Sequence, residues 1–337
     1  MKIDIFPHIL PVKYKEALMR VEKDFIYKKS VIPLFPMLYD LELRFRVMDK
    51  CDGLMQVLTL AVPPVEDITD PSKAAELARL GNDELAELVA KYPERFAGAV
   101  AGLPMNNMDA ALKEVDRAIN DLRLRGVQIF TPTNDKSLDS PEFMPLYEKM
   151  AKYDLPIWLH PQRSNDFADY KTLKQSMYTI NTLFGRPYET TVAMTHLIFS
   201  GVFDKWPNLK FITHHAGGLI PCYAERAMSF YNMVQTTVGP AMGQNYMQRL
   251  NKPILEYYKM FYADTMLDGN IPALMCAYSF FGADHLLLGT DMPLGDSQRG
   301  FRNTKRIISS IEQMAISDLD KKKIFEDNAR RLLRLPA

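Results

Sequence analysis

The chain of 337 residues balances 41 Lys and Arg residues against 41 Asp and Glu residues, so its formal net charge is zero. Without a long-range field of either sign, nucleic acid and anionic membrane surfaces are poor partners. Hydrophobic residues make up 47% of the chain, enough for a sizeable core, yet no apolar run approaches the roughly 20 residues of a membrane span. We therefore expect a globular cytoplasmic protein that acts on a small molecule.

Short apolar runs alternate with segments of helical periodicity along the whole chain. The runs are KIDIF at 2–6, LMQVLTL at 54–60, FAGAVAGL at 96–103, GVQIF at 126–130, LPIWLH at 155–160, LKFITH at 209–214, FYADT at 261–265 and HLLLGTD at 285–291. Such runs predict strands buried on both faces, as in a parallel sheet covered by helices. Eight units predict a closed (β/α)8 TIM barrel in a single domain over residues 1–337. An open doubly wound sheet is the alternative, but no Gly-x-Gly-x-x-Gly motif follows the first strand.

Two connections are longer than the barrel needs. Residues 11–50 form an insertion after strand one, and residues 161–208 form a long insertion after strand five. Both begin at the carboxyl end of a strand, where barrel enzymes build their substrate pockets. We expect them to shape the pocket.

Imidazole and carboxylate side chains stand at the ends of the predicted strands. His8 follows strand one, His160 ends strand five, the pair His214 and His215 ends strand six, and Asp291 ends strand eight. In a barrel all of these ends lie on one rim, and His nitrogens with a carboxylate oxygen suit a divalent metal. A single histidine is more often a hydrogen-bonded structural residue, but the set favours a metal site.

The remaining histidines and the arginines near the predicted strands carry weaker signals. His196 lies on an apolar helical face and His285 at the opposite end of strand eight, so we expect structural roles for both. His214 is ambiguous, because neighbouring strand residues point to opposite faces, and it could support the site from behind. Arg44, Arg46 and Arg226 are by default solvated, but any of the three could bind a substrate carboxylate.

Several motifs, taken in order, resemble one known family. They are IDIFPHILP, LRFRVMD, LPIWLHP, FITHHAGGLIP, LLLGTDMPLG and the closing DNARRLLRL, and the likeness runs from Ile3 to Leu335. The chain resembles the amidohydrolase superfamily, in particular amidohydrolase family 2, the branch similar to aminocarboxymuconate-semialdehyde decarboxylase.

The resemblance implies a (β/α)8 barrel with one divalent metal, most often zinc, with manganese as the alternative. It implies His8, His160 and Asp291 as metal ligands and His215 as a catalytic acid or base. Arg226 has the spacing of an arginine that reaches the neighbouring subunit's site in the decarboxylases, which implies a homodimer. The departure is Phe6, which stands where the family has a further ligand and leaves three.

The predicted function is a metal-dependent, non-oxidative decarboxylase of an unsaturated or aromatic carboxylic acid. His215 and Asp291 would move the proton, and an arginine would hold the substrate carboxylate. Trp158 and Phe184 would exclude water from the pocket. The alternative is a metal-dependent hydrolase of a lactone or amide, or a hydratase, on the same barrel. A metal-free binding protein is a lesser alternative that rests on Phe6 alone.

Overall fold

Short parallel strands form the centre of the fold in the computed structural model, which describes residues 1–21, 23, 26–241, 250–294 and 302–336. The strands are β1 (Lys2–Asp4), β2 (His8–Ile9), β3 (Leu54–Leu60), β4 (Phe96–Ala99), β5 (Ala101–Gly102), β6 (Val127–Thr131), β7 (Ile157–Pro161), β8 (Phe211–Thr213), β9 (Tyr262–Asp264) and β10 (Leu286–Leu287). Each predicted strand contains at least one of them. The third predicted strand is divided into β4 and β5, and β2 follows the first.

The strands pair in chain order around a ring. β1 and β2 pair with β3, β3 pairs with β4, and β5 through β10 form a second run in which every neighbouring pair is parallel. Val100 joins the two runs, since its N–H donates to the Leu58 carbonyl at 2.9 Å. The second junction between the two runs, the seam between the first and last strands, is closed by the Ile5 N–H, which donates to the Leu288 carbonyl, also at 2.9 Å. The predicted (β/α)8 barrel is confirmed.

Helices surround this ring and fill both insertions. They are α1 (Val12–Met19), α2 (Ile26–Leu34), α3 (Leu41–Met48), α4 (Val65–Ile68), α5 (Pro71–Lys91), α6 (Met108–Asn120), α7 (Met144–Tyr153), α8 (Ile180–Leu183), α9 (Gly185–Phe199), α10 (Val202–Lys205), α11 (Ile220–Met233), α12 (Gly239–Ala241), α13 (Ile254–Tyr258), α14 (Ile271–Phe281), α15 (Arg302–Glu312), α16 (Asp318–Lys322) and α17 (Asn328–Leu333). Among the described residues, none of these helices combines the length and hydropathy of a bilayer span.

Local sequence explains where the longest helix begins. The Asp70 carboxylate accepts hydrogen bonds from the N–H groups of Ser72 and Lys73, and Pro71 occupies the first helical position. A carboxylate cap followed by proline satisfies N–H groups that a helix start leaves open. The apolar side of α5, including Leu77 and Leu85, is buried in the core between helices and sheet.

The interior of the barrel is closed below the rim by apolar side chains. This cluster includes Ile3, Ile5, Val57, Ile212 and Leu287, together with Trp158. The Trp158 ring is fully buried and its Nε1–H donates to the Ile5 carbonyl at 2.9 Å. The expectation that Trp158 lines a substrate pocket is therefore corrected. It points inward like His160, but it lies one layer deeper, where no substrate reaches.

Candidate metal centre and active site

The carboxyl ends of the strands bring four of the predicted polar residues to one point. His8 begins β2, His160 lies on β7, His214 follows β8, and Asp291 lies four residues after β10. All four side chains are buried, with at most 8% of the residue exposed. The barrel geometry thus collects residues from the first strand to the last, as the sequence predicts.

The ligand-type atoms of these residues lie close to one another. One nitrogen each from His8, His160 and His214 lies within 4.8 Å of the others. Asp291 joins them, because its Oδ1 is 2.9 Å from His8 Nε2 and 3.5 Å from His214 Nε2. Such a mixture of nitrogens and one carboxylate oxygen is the donor set of zinc and manganese sites.

Unpartnered polar atoms test whether these residues fit a metal ion. His8 Nε2, His160 Nδ1, His214 Nε2 and Asp291 Oδ1 are all buried without a hydrogen bond. The close approach of His8 and Asp291 lacks hydrogen-bond directionality, so it does not satisfy either atom. Buried polar atoms are rarely left open in folded proteins, and four converging ones are expected where a cation binds. The residues therefore fit a divalent ion.

Outer contacts fix the orientation of two of the imidazoles. Thr59 Oγ1 lies 3.0 Å from His8 Nδ1, and the Asp264 carboxylate contacts His214 Nδ1. Asp264 is itself held by the N–H groups of Ala216 and Met266, at 2.9 and 3.0 Å. A carboxylate behind a histidine that turns its other nitrogen to the site is the usual support of a metal ligand. His214, ambiguous in the sequence, belongs to the cluster.

Charge is strongly polarised inside the cluster. Burial opposes protonation of His214, but Asp264 and Asp291 outweigh it and raise its pKa to about 9. Burial alone would raise the pKa of Asp291, yet the neighbouring His214 and His8 hold that pKa well below its ordinary value. Burial, and then the charges of His8 and His214, push the pKa of His160 far down. Asp291 is thus an anion and His160 a neutral imidazole, the states in which both bind metals.

His215 lies beside this cluster. Its ring stacks on His214 with centroids 4.2 Å apart, and its buried Nδ1 has no hydrogen-bond partner among the described residues. Burial and the neighbouring charge of His214 lower its pKa to about 3. One nitrogen of His215 falls within 4.8 Å of donor atoms of His214 and Asp291. The consecutive residues His214 and His215 therefore both place their imidazoles at the site.

Phe6 occupies the interior position where the resemblance implies a further ligand. Its side chain is fully buried and stacks on His214, with ring centroids 4.0 Å apart and planes inclined by 10°. The centroids of His8 and His160 lie 6.1 and 6.3 Å from it. The ring borders the cluster and supplies packing in place of a donor atom.

The predicted arginines do not converge on the cluster. Arg46 is exposed on α3, and its Nε donates to the Glu42 carbonyl of its own helix at 3.4 Å. Helical spacing turns its neighbour Arg44 inward instead, where Nη1 donates to the His8 carbonyl at 2.8 Å. The substrate-binding expectation for Arg46 is corrected accordingly. Arg226 is exposed on α11, with no ion pair within the described ranges.

Phe184 precedes α9 and 71% of it is exposed. It lies in the long insertion, but its ring is open to solvent in this chain. The two histidines expected to be structural differ from each other. His285 Nδ1 contacts the Phe261 carbonyl at 2.9 Å. His196 is exposed, and its Nδ1 lies 3.0 Å from an Asp139 oxygen, so it does not pack in the core.

A cavity of about 530 Å³ opens at the same rim. It lies between the segments that follow β3, β6 and β7, and its wall includes Glu66, Gln162 and Arg186. Arg186 contributes to lowering the pKa of His160 and His215, which places its charge near the cluster. The sequence reasoning missed Glu66 and Arg186. The available signal for Arg186 was its position in the insertion expected to shape the pocket.

Comparison with known proteins agrees with this geometry. The family model described as amidohydrolase matches residues 40–335. A gamma-resorcylate decarboxylase from Polaromonas sp. (strain JS666) is 32% identical over 304 residues, which cover 87% of this chain and 86% of the relative. A 2-amino-3-carboxymuconate-6-semialdehyde decarboxylase from Dictyostelium discoideum is 28% identical over 355 residues, covering 99% and 92%.

A solved structure gives the same picture. The dihydroxybenzoic acid decarboxylase of Polaromonas sp. JS666, with bound manganese and the inhibitor 2-nitroresorcinol, superposes with a TM-score of 0.80 at 28% identity. The match covers 99% of this chain and 96% of that one. Family model, relatives and barrel geometry agree: the chain belongs to amidohydrolase family 2, among its decarboxylase-like members.

Proposed function

We propose that this protein is a metal-dependent, non-oxidative decarboxylase of an aromatic or unsaturated carboxylic acid. The observation that carries the proposal is the convergence of unpartnered donor atoms from His8, His160, His214 and Asp291 at the rim of the barrel. The relatives named above are decarboxylases, which favours loss of CO2 over the hydrolysis or hydration that the same barrel could support.

One divalent ion, zinc or manganese, is held in this proposal by His8, His160 and Asp291, with His214 as a fourth donor. Manganese has support from the related structure, and zinc from the nitrogen-rich donor set. When bound, such an ion is a Lewis acid that stabilises negative charge developing on the substrate. The neutral His160 and anionic Asp291 are ready to bind it, while His214 must first release its proton.

The reaction replaces a carboxylate by hydrogen. The bond between the ring and the carboxyl carbon breaks, its electron pair stays on the ring carbon, and that carbon takes up a proton. In this proposal His215, beside the cluster, and Asp291, within it, move this proton; the nearness of their donor atoms to each other and to His214 supports this assignment. Arg186 replaces Arg46 as the group that orients the carboxylate, because its guanidinium lines the cavity and has no ion pair within the described part of the chain.

A homodimer is part of the proposal. Leu219, Tyr223, Phe230 and Met233 are exposed, and their spacing of four, seven and three residues puts them on one side of α11 and the residue before it. Arg226 falls on the same side, and an apolar stripe of this kind is typical of a protein interface. The sedimentation of the parent and of Phe230→Asp tests this: the variant is expected to be a monomer.

A cytoplasmic location is also proposed. The supporting observation is that Cys222 and Cys276 remain thiols although their sulfur atoms lie 3.5 Å apart. Free thiols persist in a reducing compartment. Fractionation of the source cells, with the protein followed by antibody, tests the location.

The decisive experiment separates loss of CO2 from hydrolysis. Protein stripped with chelator and reloaded with manganese or zinc is incubated with hydroxybenzoates, muconates and lactones, and CO2 release and ring opening are measured independently. We expect CO2 release that depends on the ion, with no hydrolysis product. His160→Ala should lose the bound ion, measured by elemental analysis, together with activity. Hydrolysis without CO2 would overturn the proposal, and so would activity that survives in His160→Ala without an ion.

A further inference from the structure

The cavity beside the metal centre has a polar group at each of two walls. On one wall is Glu66, from α4, and on another is Arg186, at the start of α9. Both belong to segments that follow strand ends, where barrel enzymes bind their substrates. Because one of these groups is a carboxyl group and the other a guanidinium, they suit different groups of a ligand.

Glu66 is the most unusual group on the cavity wall. Only 6% of the residue is exposed, and its Oε1 is buried without a hydrogen-bond partner among the described residues. Its own N–H and that of Met105 interact with the carboxyl group, but they leave Oε1 open. A buried polar atom without a partner costs on the order of 1–3 kcal/mol, so a ligand group that pairs with it gains affinity.

Burial raises the pKa of Glu66 to about 8. The carboxyl group is therefore mainly protonated near neutral pH and can both donate and accept a hydrogen bond. A hydroxyl or amino group suits such a partner. A second carboxylate suits it less, because it would meet the ionised form at higher pH.

Several other polar side chains of the cavity are already engaged. Gln162 Nε2 donates to Asp67 Oδ2 at 2.7 Å. Arg163 lies 3.4 Å from a Glu189 oxygen and over the ring of Phe167. Arg186, by contrast, has no side-chain hydrogen bond or ion pair within the described part of the chain. Asn134 and Asp135 also line the cavity without a side-chain partner among the described residues, but Asn134 is half-buried and Asp135 is exposed. Glu66 is therefore the buried group, and Arg186 the cationic one, open to a ligand.

We propose that Glu66 is a specificity residue of this cavity: with the ligand carboxylate toward Arg186 and the metal centre, its buried Oε1 pairs with a hydroxyl or amino group elsewhere on the ligand. This inference rests on the proposed decarboxylase function and adds a residue that discriminates among its ligands. An acid that lacks such a group leaves the buried Oε1 unpaired. Sites that hydrogen-bond a ligand hydroxyl discriminate strongly against analogues without one.

Calorimetric binding to the manganese-loaded protein tests the inference without relying on turnover. The probes are benzoate, 3-hydroxybenzoate, 4-hydroxybenzoate and 4-aminobenzoate. The parent should bind at least one substituted probe about tenfold or more tightly than benzoate. Glu66→Met, similar in length, should abolish this preference, and Glu66→Gln should keep most of it. Arg186→Met should weaken all four probes alike.

Asp166→Asn is the matched control, since this carboxylate lines the same cavity but is exposed and accepts from Ser164 Oγ. It should leave the preference unchanged. A parent without preference, or a Glu66→Met variant that keeps it, overturns the inference. CO2 release is scored separately: selective binding without CO2 release contradicts the proposed function but supports recognition by Glu66.

Discussion

The ring of Phe6 lies parallel to the imidazole of His214 at a centroid distance of 4.0 Å, so an apolar ring borders the metal cluster. Because position 6 is where the family resemblance implies a further ligand, Phe6→His should add a donor to the cluster. We expect its affinity for manganese or zinc to rise about tenfold or more, measured by competition with a chromophoric chelator.

Phe6→Leu is the control for packing alone. It removes the stacked ring without adding a donor, so it should lower stability by about 1–2 kcal/mol and leave metal affinity nearly unchanged. Equal affinities of Phe6→His and Phe6→Leu would show that position 6 does not face the ion.

Asp264 orients His214 from behind and should therefore matter for metal binding without touching the ion. Asp264→Asn keeps the shape but loses the charge, and we expect metal affinity to fall about 10- to 100-fold. Asp268→Asn, four residues further along the chain, is the control. It removes an exposed carboxylate that pairs with Arg306 and should change metal affinity little. If both variants bind the ion as the parent does, His214 is not a ligand.

Arg44 and Arg46 share one helix but differ in burial. Arg44 is fully buried, and it donates to the His8 carbonyl and to Gln56 Oε1, both at 2.8 Å. Arg44→Met should cost about 3–5 kcal/mol in the free energy of unfolding, because it leaves these buried acceptors without a donor and removes the positive charge that lowers the pKa of buried Asp4. Arg46→Met should stay within about 0.5 kcal/mol. Urea titration measures both, and similar costs would refute this assignment.

The buried carboxyl group of Glu66 predicts a pH dependence of stability. Its pKa is about 8 in the folded protein against an ordinary value of 4.5. Between these values the folded protein retains a proton that the unfolded chain has lost, so this group lowers stability as the pH rises through the window. Glu66→Gln cannot ionise, and its advantage over the parent should grow to at most about 5 kcal/mol above pH 8.

Urea midpoints of the two proteins at about pH 5 and about pH 9 measure this difference. Taking the difference between parent and variant cancels the other titrating groups. Parallel pH profiles would mean that Glu66 is ionised or hydrated in the folded protein.

The fold and the centre of the site follow from local sequence, whereas the pocket does not. Continuous apolar runs locate the strands, and a barrel places every strand end on one rim, which is why His8, His160 and Asp291 could be grouped. Trp158 shows what alternation leaves open: it gives the direction of a side chain but not its depth. The sequence alone does not distinguish Arg44 from Arg46, because only the packing of α3 against the barrel decides which of the two side chains is buried. Glu66 and Arg186 come together through loops whose paths no periodicity encodes.

The contact between His8 and Asp291 joins the first strand of the barrel to the last, beside the seam where Ile5 bonds to Leu288. An ion held by both residues would link the first and last strands across this seam, because the barrel could not open there without releasing the ion. Metal occupancy should then slow unfolding itself, and the lifetime of the closed barrel becomes a property of the active site.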